Sequence, residues 1–414
     1  MAEDAITLTF DPFQLPMAQH RAGLGGLLLE IETLEQRGIG PLPTVTRDDE
    51  GRYQIVLTEE GLGVLFNDLY DAVTLEQPSK TKRKGKDKQP IEPQREEQLT
   101  NPKTGKKETI YYYPQLVPRA AFLQALQVPD AWIRLWASAM WATVRGVPMT
   151  RTPYEERVRG EGVSETAKTW KALNSFQRNR QRGKANTESL AGCLMLGCQA
   201  TNAENVPFKG RADENFLLHF WPVVVGVYRP QAIDREGRAE PTGYVLTVPD
   251  VTDFAGFLTD FRGMVGSLDP AVSGYTPRNA IISIPEEAAL EYAAGIAAVA
   301  RARASDSVLA FSTAAVEVYH LDKRGNSIPV LFSGRVTLSP ELLNDYEQIR
   351  HRYHHPLFHR QLILNLLRGS PWYAGFDGVF ARNPKNLFLG GNGWQFQLDL
   401  HRKMRTNKES ITNA

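Results

Sequence analysis

A chain of 414 residues is longer than one hydrophobic core usually serves, so more than one sub-domain is expected. Hydrophobic residues make up 42% and charged residues 23%, which suffices to bury a core, and no run reaches the roughly 20 apolar residues of a bilayer span, which excludes an embedded protein. The formal net charge of +1 leaves open where the charge sits, and its distribution is what a polyanionic partner senses.

The opening MAEDAITLTF is acidic and then alternating, unlike a secretory signal, and a cytoplasmic location is expected. Ile6 to Phe10 alternates as a half-buried strand, ended by Asp11-Pro12. Met17 to Leu34 is dense enough in apolar residues for a buried helix that stops at Gly38. Tyr53 to Leu57 is a second strand, and Thr58 can cap a helix running through Leu69. Residues 77–109 have almost no apolar side chains, and a flexible basic insertion is expected there. Order resumes at Tyr111-Tyr112-Tyr113.

Pro129 starts a helix whose Trp132, Trp136 and Met140 form a buried i,i+4 row, ended by Gly146 and Pro148. A polar, basic segment spans 151–188. Phe216–Tyr228 and Tyr244–Val248 read as paired strands around a charged loop with Arg235 and Arg238, and Asp253–Phe261 as a short helix. Ala280–Ile284 reads as a strand leading into the helix Glu286–Arg303. Val316–Leu321 and Ile328–Val336 flank Lys323-Arg324-Gly325-Asn326, a hairpin turn. Helices over Glu341–Tyr353 and Pro356–Arg368 follow, the second closed by Gly369. The class is α+β: an N-terminal domain over 1–275, sheet-containing with helical insertions, and a helix-rich C-terminal domain over 276–414 with one β-hairpin.

The familiar catalytic signatures are missing. Gly23-Leu24-Gly25-Gly26 follows a strand, but Leu28 stands where a dinucleotide fingerprint needs its third glycine, and close helix packing accounts for the run. Thr104-Gly105-Lys106-Lys107 lacks the other residues of a phosphate-binding loop. Cys193 and Cys198 suit buried free thiols better than a disulfide or zinc. No histidine precedes an aspartate, and no serine sits in a G-x-S-x-G elbow. Asp250 and Asp253 could pair as carboxylates, although Asp253 also suits a helix cap. His351, His354, His355 and His359 admit a polar helix junction, an RNA or phosphate contact, or a metal site; Pro356 breaks the spacing for the last. No enzyme, metal or cofactor is expected.

The cations are gathered in two places. Lys80 to Lys107 holds ten Lys/Arg against four Asp/Glu, and Arg157 to Lys184 holds eight against two, so both carry far more positive charge than the whole chain. In the second, Asn174, Arg178, Asn179, Arg180, Arg182 and Lys184 alternate arginine forks with amides near Trp170 and Phe176, a mixture suited to phosphates, base edges and stacked bases. In the first, Lys82, Arg83, Lys84 and Lys86 suit non-specific duplex contact. Arg350, Arg352 and Arg360 are weaker candidates for a displaced strand or a guide RNA.

LTFDPFQLPMAQHRAGLGGLLLEIE, YYPQLVPRAAFLQALQVPDAWIRLWASAMWATVRGVP, VEVYHLDKRGNSIPVLFSGRV and LILNLLRGSPWYAGFD together resemble the large subunit of type I CRISPR Cascade, in the type I-B-like MYXAN variant. The resemblance implies a non-catalytic subunit near the 5′ handle of a crRNA that reads the protospacer-adjacent motif in double-stranded target DNA and helps open the strands. It implies as partners the crRNA and the backbone, handle-binding and small subunits. The executor would be a separate helicase-nuclease or, in transposon-associated relatives, a transposition-targeting protein. Met264 is one internal start from which a small subunit could be made. From a different class come an RNA-binding scaffold without DNA readout and a metal-dependent hydrolase built on Asp250 or the histidines.

Overall fold

The computed structural model describes residues 5–84, 88–100, 105, 107–144, 148–184, 187–189, 194–197, 206, 208–234, 236–303, 312–324, 328–389 and 393–412. The chain opens with β1 (Ile6–Phe10), α1 (Ala18–Gln36), β2 (Thr44–Arg47), β3 (Tyr53–Leu57) and α2 (Glu59–Leu69). β1 and β2 flank β3 antiparallel, and Thr58 caps α2 by accepting from the Gly61 amide at 3.1 Å.

α1 is buried almost all round because the chain crosses it very closely. A Cβ on Gly23 would lie 2.2 Å from the Leu217 carbonyl oxygen, and one on Gly26 would lie 2.1 Å from that of Phe220. The glycine run is therefore a packing device, and only hydrogen fits at these two positions.

β4 (Ala72–Ser79), β5 (Arg95–Thr100) and β6 (Lys107–Pro118) form an antiparallel sheet in the order β4-β6-β5. Within the range 77–109, expected to be a flexible insertion, residues 77–79, 95–100 and 107–109 are strands of a hairpin arm. Its order comes from cross-strand pairs, which composition does not report. The Arg95 guanidinium lies 3.8 Å from the Tyr112 ring and bonds Glu76 and Glu97 at 3.2 and 2.9 Å.

α3 (Ala121–Ala125) leads to α4 (Asp130–Ala139), which continues as a π-helical turn through Val144. Trp132, Trp136 and Met140 are buried as their spacing predicts, and the Trp136 indole donates to the Pro222 carbonyl at 2.8 Å. This run stops at Val144, short of Pro148, which begins α5 (Pro148–Val158), and Gly146 lies outside the described residues. The polar segment is not a loop: α5 and α6 (Glu165–Gln181) occupy most of it. The two-residue strands β7 (Glu188–Ser189) and β8 (Lys209–Gly210) pair, then α7 (Ala212–Leu217) begins. Cys193 and Cys198 lie outside the described residues.

Phe216–Tyr228, read as a strand, is the end of α7 and a 3-10 turn at Trp221–Val223 before β9 (Gly226–Ile233). An apolar run without alternation fits a buried helix as well as a strand, and Pro222 favours the turn. β10 (Ala239–Pro241) and β11 (Tyr244–Val251) follow, then α8 (Phe254–Gly266), β12 (Val272–Ser273), β13 (Thr276–Pro277), β14 (Ile281–Ile282), α9 (Glu287–Arg303), β15 (Thr313–Leu321) and β16 (Val330–Thr337). β14 is shorter than the strand expected over Ala280–Ile284, and Arg235, Gly325 and Asn326 lie outside the described residues. The central sheet runs β10-β9-β11-β15-β16, with β14 parallel to β9. Every residue from Val245 to Val251 is buried, so both faces of β11 are covered, and α1 and α9 both pack on it. A fragment starting at Met264, within α8, would leave β15 without its β11 partner.

α10 (Pro340–Arg352), α11 (Pro356–Leu367), α12 (Phe376–Arg382) and α13 (Trp394–Thr412) complete the α+β chain. Gly369, at φ +60°, ends α11. None of the described helices is long and apolar enough to cross a membrane.

Candidate nucleic-acid interface

α6 sorts its residues by helical spacing. Thr169, Leu173 and Phe176 are buried, and α6 packs on α2 and α7. That leaves Lys171, Arg178 and the C-cap Arg182 in one outward row, because positions seven and eleven apart return to the same face. Arg178, Arg180, Arg182 and Lys184 are exposed, and none has an ion-pair partner among the described residues. Asn174 is committed elsewhere, its amide donating to the Trp170 carbonyl at 3.2 Å. The Asn179 carbonyl accepts from Lys184 and Arg182, closing the helix over Gly183 at φ +65°.

Arg180 and Lys184 face a different way, into a cleft of about 570 Å³ that also contains Asp11, Arg52 and Arg211. Arg211 is held by Asp213 at 2.5 Å and lies 5.5 Å over the Phe176 ring, while Arg52 is held by Asp48 at 2.8 Å. Carboxylates neutralise part of this field, so the outward row is the stronger anion surface.

The lysine-rich candidates are mostly spoken for. Lys82 pairs with Glu96 at 3.1 Å and lies over the Tyr111 ring, and Arg83 bonds Gln77 and lies 4.9 Å over Tyr113. Lys84 has no ion-pair partner among the described residues, and Lys86 lies outside them.

Arg350 is partly buried and paired: its Nε lies 2.7 Å from Glu291, which also accepts from the Tyr346 hydroxyl. Arg352 is exposed, its carbonyl accepting from Arg402 at 3.2 Å. Arg360 is exposed and lines a second cleft, of about 550 Å³, with Arg278, His351 and His354. Arg278 escaped the sequence reading because it stands alone in SGYTPRNA, where no local excess of cations marks it.

The histidine segment is a polar helix junction. The amides of His354 and His355 donate to the buried Asp399 carboxylate at 2.8 and 2.7 Å. The two ring nitrogens of His359 face the Tyr353 carbonyl and Glu287, an arrangement that favours the doubly protonated ring. Burial opposes that charge, but Glu287 outweighs it and raises the His359 pKa. Among the described residues no group of three or more His, Cys, Asp or Glu could hold a metal ion.

Asp250 and Asp253 do not act as a pair. Asp250 is buried and bridged by Arg21 at 2.5 Å and Arg335 at 2.6 Å, a clamp joining α1, β11 and β16. Asp253 occupies the cap position of α8 without a side-chain cap bond. The hydrolase reading loses its carboxylate here, since both oxygens of Asp250 are engaged.

A search of curated proteins finds no match. Residues 42–306 match the model of the type I-B CRISPR Cas8b N-terminal domain, and residues 313–414 match that of the Cas8b C-terminal domain. Together these cover nearly the whole described fold, from β2 to α13, and the chain belongs to the Cas8b family: it is the large subunit of a type I-B CRISPR Cascade.

Proposed function

We propose that this subunit reads the short motif beside the target in duplex DNA and stabilises the separated strands near the crRNA 5′ handle, without cleaving them. The observation that carries the reading is the row on α6. Lys171, Arg178 and Arg182 project together from a helix anchored through Phe176, and the two arginines have no carboxylate to answer among the described residues. A rigid row of guanidinium groups suits phosphates and guanine edges. In a guided complex base pairing supplies sequence choice, so protein need read only a short flank.

Tyr275 supports the strand-opening part. It is 99% exposed at the turn between β12 and β13, beside Gly274 at φ +62°. An aromatic ring held clear of the surface on a tight hairpin is placed to wedge between bases. The partners in this reading are the crRNA, the backbone, handle-binding and small subunits, and a separate executor.

The test is the affinity of the assembled complex for target duplexes carrying randomised flanks. The reading requires one short flank to be preferred, with the preference relaxed by Arg178→Ala and Arg182→Ala together. Equal binding to all flanks, with crRNA retention intact, would instead make the chain an RNA scaffold. Metal-dependent cleavage by the subunit alone would overturn the non-catalytic reading.

A further inference from the structure

Between α4, α8, α9 and β9 lies a hollow of about 220 Å³ with aromatic and aliphatic walls, including Trp132, Tyr228, Phe261 and Met264. Such a void inside a close-packed domain needs a reason. The tips of its aromatic residues give one. The indoles of Trp132 and Trp136 donate to the Asp269 and Pro222 carbonyls, and the Tyr292 hydroxyl donates to that of Val224, each at 2.8 Å. Tyr228 is only 6% exposed, yet its hydroxyl has no hydrogen-bond partner among the described residues. That hydroxyl is open to the hollow and not sealed in protein, so a polar group entering the hollow can bond it.

The mouth supplies the other half of the chemistry. The hollow and the second cleft are neighbours that share Asn279, Glu291 and Arg350 in their walls. In the second cleft stand Arg278 and Arg360, both exposed and without ion-pair partners among the described residues, with His351 and His354 beside them. An apolar ring pocket with a few polar groups suits a flat heterocycle, and free guanidinium groups suit a phosphate. Trp132 and Tyr228 stand nearly perpendicular, 83° apart with ring centroids 6.4 Å apart, so a planar ring can stack on one and meet the edge of the other.

We propose that this pair of hollows takes one unpaired nucleotide, its base against Trp132 and Tyr228 in the inner hollow and its phosphate against Arg278 and Arg360 in the outer one. The site is separate from α6. Burial raises the Glu291 pKa to about 7, against the pull of Arg350.

The experiment uses the full chain and single-stranded oligonucleotides carrying one 2-aminopurine or, as control, one abasic site at the same position. Stacking in the hollow quenches 2-aminopurine, and the abasic strand should bind about tenfold more weakly. Tyr228→Phe removes only the hydroxyl and should weaken binding about fivefold with an unchanged unfolding temperature. Arg278→Ala with Arg360→Ala should weaken it at least about tenfold. Nucleoside monophosphates that compete would show that the free nucleotide is taken as well; quenching they cannot reverse assigns the site to a nucleotide within a strand. Absence of quenching at saturation, equal binding of base-bearing and abasic strands, or indifference to both variants would overturn the proposal. Replacing Arg178, Arg180 and Arg182 should lower overall strand affinity but leave the quenching at saturation intact, which separates failure here from failure of the α6 reading.

Discussion

Replacing Arg178, Arg180 and Arg182 by alanine should separate binding from folding. All three side chains are exposed and unpaired among the described residues, and alanine is a good helix former, so stability should change by no more than about 0.5 kcal/mol. Each phosphate contact adds about 0.9 to the slope of log affinity against log salt, so three lost contacts lower the slope by about 2.7. Between 50 and 200 mM salt the wild-type complex should then lose about 40-fold more affinity than the variant, and at physiological salt the variant should bind at least about tenfold more weakly. Salt-titrated binding of the assembled complex to its target duplex, alongside urea unfolding, measures both quantities. The division of the helix sharpens the expectation. Arg178 and Arg182 share the outward row while Arg180 enters the cleft, so the outward pair alone should account for about two-thirds of the slope change. An unchanged slope in a folded variant would refute the reasoning, because cations that grip phosphates cannot be removed without releasing fewer counterions.

Three further expectations concern the scaffold. Gly26→Ala would drive a methyl into the Phe220 carbonyl and should cost about 1–3 kcal/mol, read as a lower urea midpoint; a neutral effect would mean that α1 and the 3-10 turn separate easily. Asp250→Asn leaves Arg21 and Arg335 without their shared charge and should cost about 3–5 kcal/mol in the same assay, and a variant as stable as wild type would show that the clamp contributes nothing. His20 is buried beside Arg21, with its pKa lowered from 6.5 to about 4, first by burial and then by that charge. The unfolded chain therefore binds the proton first, and stability is lost as pH falls below 6.5; at pH 5 the loss is about 2 kcal/mol. Comparing unfolding at pH 7 and pH 5 for wild type and His20→Gln isolates this group, and equal acid sensitivity of the two proteins would contradict it.

The α+β class and most of its helices were legible because apolar periodicity reports burial directly. The row Trp132–Trp136–Met140, the Thr58 cap and the hairpin of β15 and β16 all follow from local pattern. The arm was not legible, since its order rests on pairs such as Arg95 with Tyr112 and Glu76, brought opposite only by strand register. The same limit governs the site. Counting charges along the chain found the cations that α6 carries, though not the helix, and it could not show that Arg350 answers Glu291 or that Lys82 answers Glu96. Nor could it find Arg278, whose fellow cations come from α10, α11 and the junction between them, or the Tyr228 hydroxyl, whose interest lies in a partner that the fold does not provide.

The most direct measurement places the α6 row on the nucleic acid itself. A photo-crosslinking residue at position 178 or 182, in the complete complex on its target, should mark the duplex immediately flanking the guide-paired segment, and a residue at exposed position 56 should mark nothing. Crosslinks from α6 confined to other subunits, or absent while the complex is fully bound, would contradict the assignment of this helix to the DNA.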